Sequence, residues 1–174
     1  MAGKHQRIYW DTCIFYALLK EEKHRAGEPE VIAEQARKFD AGTIQIVTSV
    51  ITRAEVLQGK LSGPDAQRFT RMMQRSNFLL VDVNHAVADL AAKMRSDYET
   101  YTADGKKMLL STPDAIHIAS AAAYHISDFF TLDRRDKRRK NELAMTSVAP
   151  QVRKDYGVHI ATPHGQMGLK YGSE

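Results

Sequence analysis

Cysteine is almost missing from this 174-residue chain. The single Cys13 excludes an internal disulfide and any multi-cysteine metal centre, and it fits a reducing cytoplasm. No apolar run approaches the roughly eighteen residues of a membrane span, so no membrane partner is expected. The opening "MAGKHQRIYW" lacks the apolar core of a signal peptide. There is no internal repeat and no low-complexity block, and the phosphate-loop pattern GxxxxGK[ST] is absent. What is present is ordinary for a soluble globular protein, with 43% apolar and 26% charged residues. A chain of this length is expected to bury roughly 70% of its unfolded surface in one domain. Its net charge of +4 permits a nucleic-acid partner without demanding one.

Periodicity divides the chain into alternating strands and helices. "RIYW" (Arg7–Trp10), "TIQIVTS" (Thr43–Ser49), "NFLLVDV" (Asn77–Val83) and "ISDFFTL" (Ile126–Leu132) read as strands. Between them, "TCIFYALL", "EVIAEQARKFDAG", "VITRAEVLQGK" (stopped by Gly59), "GPDAQRFTRMMQRS", "NHAVADLAAKMRSDYE" and "TPDAIHIASAAAYH" read as helices. Lys20–Pro29 reads as a polar connection and "TYTADGKKMLLS" as a loop. This alternation predicts an α/β protein with three α/β/α layers and a central parallel sheet of four to five strands. The main domain is expected over residues 1–148. Residues 149–174 then form a partly ordered extension, with "GVHIA" as a candidate edge strand.

Four acids fall where strands give way to helices. Asp11 follows the first strand and Glu55 lies on the helix after the second; Asp114 opens the late Ala-rich helix, and Asp133 follows the fourth strand. In a parallel sheet these places share one edge, where ligands bind. Carboxylates brought together there repel, by about 4 kcal/mol for a pair at ~4 Å and an effective dielectric of 20. Mg²⁺ or Mn²⁺ would remove the conflict, since hard cations take carboxylate, water and phosphate oxygens. The matching chemistry is metal-assisted hydrolysis of a phosphodiester. Each acid also has a plainer reading: Asp114 as a helix-dipole partner, Glu55 paired with Arg53 or Lys60, Asp133 as a turn residue. Asp11, between buried-looking neighbours, is the hardest to explain that way.

"YWDTCIFYALL", "TSVITRAEVLQG" and "LLSTPDAIHIASAAAYHISDFFTLDRRD" together resemble the PIN-domain nucleases, and among them the VapC-type toxins of toxin–antitoxin pairs. The resemblance covers roughly residues 7–140. It implies a PIN-like fold and a Mg²⁺- or Mn²⁺-dependent endoribonuclease, with Asp11, Glu55, Asp114 and Asp133 as catalytic and metal-binding residues. It also implies an RNA substrate, a cognate antitoxin and a homodimer. Thr12 and Thr131 match hydroxyl positions that support the acids. The chain is longer than a compact toxin of this kind, at Lys20–Pro29, Tyr98–Leu110 and after Met145. His117, one turn after Asp114, reads as a core or rim histidine rather than a ligand.

"RRDKRRK" (Arg134–Lys140) carries six basic side chains in seven residues beside Asp133. Arg134, Arg135 and Arg138 are candidates for phosphate contacts to RNA, although such a run is also a common solvated surface. Dimerisation would use apolar faces in Val31–Phe39 and Phe69–Met73, which could equally be core. Other hydrolases fit worse. A haloacid-dehalogenase phosphatase needs a second Asp where Cys13 stands, and a cysteine phosphatase needs an Arg-bearing loop after Cys13. The remaining alternative is a non-catalytic PIN-like module that binds RNA or protein.

Overall fold

β1 (Gln6–Trp10) is the hub of the computed structural model, which describes residues 6–20, 24–58 and 61–164. It pairs in parallel with β2 (Ile44–Ser49) on one side and β6 (Asp128–Phe130) on the other. β3 (Phe78–Val81) extends the β2 side and β8 (His159–Ala161) extends the β6 side. The resulting five-stranded parallel sheet has the order β3-β2-β1-β6-β8. Because parallel strands need crossovers, helices cover both faces: α1 (Thr12–Lys20), α2 (Glu28–Asp40), α3 (Val50–Gln58) and α4 (Gly63–Met73), then α5 (His85–Asp97), α6 (Thr112–Ala123) and α7 (Ala149–Tyr156). This is the three-layer α/β/α arrangement expected from the alternation.

Strand alternation splits the core in two. Ile8, Trp10, Ile46 and Phe130 turn to the face shared with Phe15, Phe39 and Phe69. Tyr9, Val47 and Phe129 turn to the opposite face with Val87, Met94 and Ile118. Tyr9 and Phe129, adjacent across the β1–β6 pair, stack with ring centroids 4.8 Å apart. Of the two segments raised for a dimer face, Ile32, Phe39, Phe69 and Met72 serve this core and are buried in the single chain.

Three stretches differ from the sequence expectation. "TYTADGKKMLLS" is not a loop but a hairpin, β4 (Thr100–Tyr101) against β5 (Lys107–Leu110). Its turn closes through Thr102 N–H to Lys106 O and uses Gly105 at φ +78°, so Asp104-Gly105 was the signal. The basic run leads into a short strand, β7 (Glu142–Leu143), which pairs in parallel with β5 and completes a second, three-stranded sheet. The Lys20–Pro29 connection ends early: α2 starts at Glu28, with Pro29 in its first turn and Gly27 before it at φ +90°. Beyond residue 148, α7 and the expected edge strand both join the main sheet's architecture, through β8 on β6. Gly59, Lys60 and residues 165–174 of the expected tail lie outside the described residues.

Candidate functional site

The parallel register puts the ends of β1, β2 and β6 on one edge, and Asp11, Glu55 and Asp133 leave from there. Asp114 arrives from the second sheet, at the first turn of α6 just after β5. Asp11 is buried, at 4% exposure. Its Oδ1 accepts from Thr12 N–H at 2.6 Å, and its Oδ2 accepts from the Thr131 hydroxyl at 2.8 Å and the Cys13 thiol at 2.9 Å. Thr131 in turn accepts from Asp133 N–H at 3.0 Å, so one hydroxyl ties two of the acids together. Asp133 Oδ2 accepts from Met145 N–H at 3.0 Å, while Lys137 stands 3.6 Å from Oδ1.

Asp114 is tied to Ser111, the N-cap of its helix. Its N–H donates to Ser111 Oγ at 3.2 Å, and the Ser111 hydroxyl donates back to Oδ2 at 2.5 Å. Ser62 and Asp65 make the same pair of hydrogen bonds on α4 at the exposed surface, so the cap alone does not require other acids nearby. Asp114 differs because it is half-buried and faces charges. Burial pushes its carboxyl up to about 6, with Asp11 and Asp133 adding to the rise and the Ser111 hydrogen bond opposing it. Asp133 is also raised, by burial first and by Asp11, against the pull of Met145 N–H and Lys137. Three of the four acids are therefore electrostatic neighbours on one edge.

Glu55 is held differently. Thr12 Oγ1 donates to its Oε2, and His117 Nε2 lies 3.0 Å from the same oxygen. Burial would raise its carboxyl, but the His117 and Thr12 hydrogen bonds win and hold it below the usual carboxylate range. His117 itself is 1% exposed and lies 2.8 Å from the Tyr9 hydroxyl through Nδ1 and 3.6 Å from Asp11 Oδ1 through Nε2. Burial alone would lower its imidazole, yet the Glu55 hydrogen bond and the charges of Asp11, Glu55 and Asp114 raise it. Tyr9 Oη also accepts from Ser49 N–H at 3.0 Å, so the buried tyrosine links β2 to His117. His117 is thus part of the site rather than plain core. Its position three residues after Asp114, on the same helix face, was the available signal.

The basic run divides. Arg134 turns inward and pairs with the fully buried Glu28, its side chain left 20% exposed. Arg135 and Arg138 are exposed. Lys137, which the sequence did not single out, faces Asp133 and is held protonated, with burial opposed by Asp133 and Asp114.

Among the described residues, no group of three or more His, Cys, Asp or Glu is gathered closely enough to enclose a metal ion. The donor set nonetheless fits a hard divalent cation. Mg²⁺ usually keeps several waters and takes one or two carboxylates with substrate phosphate, and these acids are oxygen donors under mutual repulsion.

The charge on Asp114 has a measurable cost to the metal-free fold. Its carboxyl loses a proton near 3.8 when unfolded and at about 6 when folded, so between these values the folded chain binds more protons. Stability therefore falls as pH rises through that window and stays lower above it. The shift corresponds to about 3 kcal/mol, less about 1 kcal/mol for the attraction to the α6 N-terminus that neutralisation gives up. Asp114→Asn, which keeps an oxygen for Ser111, should stabilise the metal-free protein by about 2 kcal/mol above pH ~7 and by nothing below pH ~4. Thermal unfolding of both proteins at the two pH values checks this; an equal difference at both would remove the charge as its cause.

Residues 8–142 match the family model of the PIN domain. Among solved structures, a toxin–antitoxin complex from Klebsiella pneumoniae is 24% identical, with a TM-score of 0.51 over 78% of this chain and 95% of that one. VapBC2 from Rickettsia felis, solved bound to a DNA fragment from its promoter, is 14% identical, with a TM-score of 0.55 over 90% of this chain and 98% of that one. At these identities the likeness is one of fold. No curated protein matches the chain.

Proposed function

The chain belongs to the PIN domain family, and from that premise we propose that it is a metal-dependent endoribonuclease, the VapC-type toxin of a toxin–antitoxin pair. One observation carries the reading: acids distant in sequence reach a single sheet edge, where burial first, and then the charges of Asp11 and Asp133, push the Asp114 carboxyl upward. Such repulsion is a cost that a binding module has no reason to keep, and perturbed carboxyls of this kind concentrate at functional sites. The neighbours solved as toxin–antitoxin assemblies support an antitoxin as partner.

In this reading Asp11, Asp114 and Asp133 hold Mg²⁺ or Mn²⁺. The bound ion supplies polarisation of the scissile phosphate and a water of lowered pKa. Thr12 N–H, Thr131 and Cys13 hold the Asp11 oxygens in place. Glu55 stays ionised because His117 and Thr12 both donate to Oε2; Oε1 is left to ligate or to orient the attacking water. Lys137 offsets negative charge beside Asp133, and the exposed Arg135 and Arg138 attract the RNA backbone.

Incubation of the purified chain with single-stranded RNA and Mn²⁺, with and without chelator, tests the activity; cleavage surviving the chelator would overturn it. The division of the basic run is tested by binding. Arg135→Ala with Arg138→Ala should weaken RNA affinity and flatten its log–log salt dependence by about 0.7 for each phosphate no longer neutralised. Turnover at saturating RNA should change less than affinity. An unaltered salt slope would make those two arginines plain surface charge.

A further inference from the structure

A concave surface adjoins Asp114 through Ser111. It is a cavity of about 460 Å³ between α5, β5, the start of α6 and residues 140–142. Its cations come from three separate places: Arg95 on α5, Lys107 on β5 and Lys140 just before β7. The β5–β7 pairing, Leu109 opposite Glu142 and Leu110 opposite Leu143, is what brings Lys140 here.

The charges are not balanced. Lys107 pairs with Glu99, and the cavity's acid, Glu142, lies 3.8 Å from Lys137. Among the described residues no carboxylate pairs with Arg95 or Lys140. Arg95 is also fixed in place, since its Nε donates to Leu110 O at 2.9 Å. A guanidinium already oriented, with a lysine across a concave wall, matches a phosphate oxygen pair better than a neutral ligand. Tyr101, 62% exposed and opposite Lys107 in the hairpin, adds an aromatic face beside the cavity, which favours a nucleotide over a bare anion. Ser111 lines the cavity and also donates to Asp114, so the cavity and the acid edge share a residue.

We infer that this cavity is a substrate subsite, holding a backbone phosphate of single-stranded RNA next to the one that is hydrolysed, with Arg95 and Lys140 as its contacts. The inference rests on the endoribonuclease reading and extends it to how substrate is placed. The β4–β5 hairpin and β7 then have a role: they build one wall of the subsite.

Binding of a short single-stranded RNA is measured by fluorescence anisotropy at several salt concentrations, on an Asp11→Asn background so that nothing is cut. Adding Arg95→Gln and Lys140→Gln should weaken binding by about tenfold and flatten the salt dependence by about 0.7 or more. Lys140→Gln alone, an exposed change that leaves the fold untouched, should give part of the same effect. Arg37→Gln with Lys38→Gln removes the same charge from α2 on the opposite face and should change affinity little. Equal weakening at the two places would reduce the effect to net charge and overturn the subsite. So would unchanged affinity in the Arg95/Lys140 variant while its parent binds RNA. A parent that binds no RNA would overturn the nuclease reading and the subsite together.

Discussion

Asp11→Asn should reduce metal-dependent RNA cleavage by about a thousandfold or more and leave the fold intact. The magnitude follows from the several kcal/mol of charge stabilisation that a metal supplies, with each ~1.36 kcal/mol worth a factor of ten. Retention of the fold follows from the local geometry. The asparagine oxygen still accepts from Thr12 N–H, and the Thr131 hydroxyl, now beside an amide, can turn to accept. The substitution also removes a charge that adds to the burial-driven rise of Asp114 and Asp133. Product analysis by gel alongside thermal unfolding separates loss of chemistry from loss of fold. Wild-type cleavage rates in the variant would remove Asp11 from the mechanism.

Glu28→Ala should cost about 3 kcal/mol of stability. Glu28 is fully buried; its Oε2 accepts from Arg25 N–H at 3.2 Å and its Oε1 pairs with Arg134. Removing one partner leaves a cation in poor solvent, and breaking such pairs typically costs about 3–5 kcal/mol. Arg134 keeps 20% side-chain exposure, which places the loss at the lower end. Replacing both residues by methionine should recover most of it, because the charge and its desolvation are removed together. Denaturant midpoints for the single and double variants test this. A single variant as stable as wild type would mean that water reaches the pair. Since Arg134 directly follows Asp133, the same pair anchors the loop that carries one of the acids.

Local signals made much of this legible. The β1–Asp11–α1 corner reads from a short apolar strand meeting an apolar helix, and "TPD" reads as a helix start with proline in its first turn, although the cap is Ser111 rather than the Thr112 that the sequence suggests. The edge location of Asp11, Glu55 and Asp133 followed from topology, because parallel strands end on the same side, whereas Asp114 is brought in after β5 of the second sheet. What escaped depends on partners far along the chain. Glu28 looks like loop until Arg134, 106 positions later, is seen to bury it. His117 looks like core until Glu55 and Tyr9 are placed around it. The β4–β5 hairpin escaped for a different reason: two residues in β4 are too few to show alternation, and the Asp104-Gly105 turn was the lone local sign.

The central claim is that Asp11 and Asp114 are shared ligands of one divalent cation rather than a buried acid and a helix cap. Calorimetric titration of Mn²⁺ into the wild type, Asp11→Asn and Asp114→Asn tests it most directly. The account predicts binding to the wild type that weakens as pH falls through about 6, where Asp114 takes up a proton, and affinity at least about tenfold lower in both variants. Equal affinity in all three proteins would contradict it.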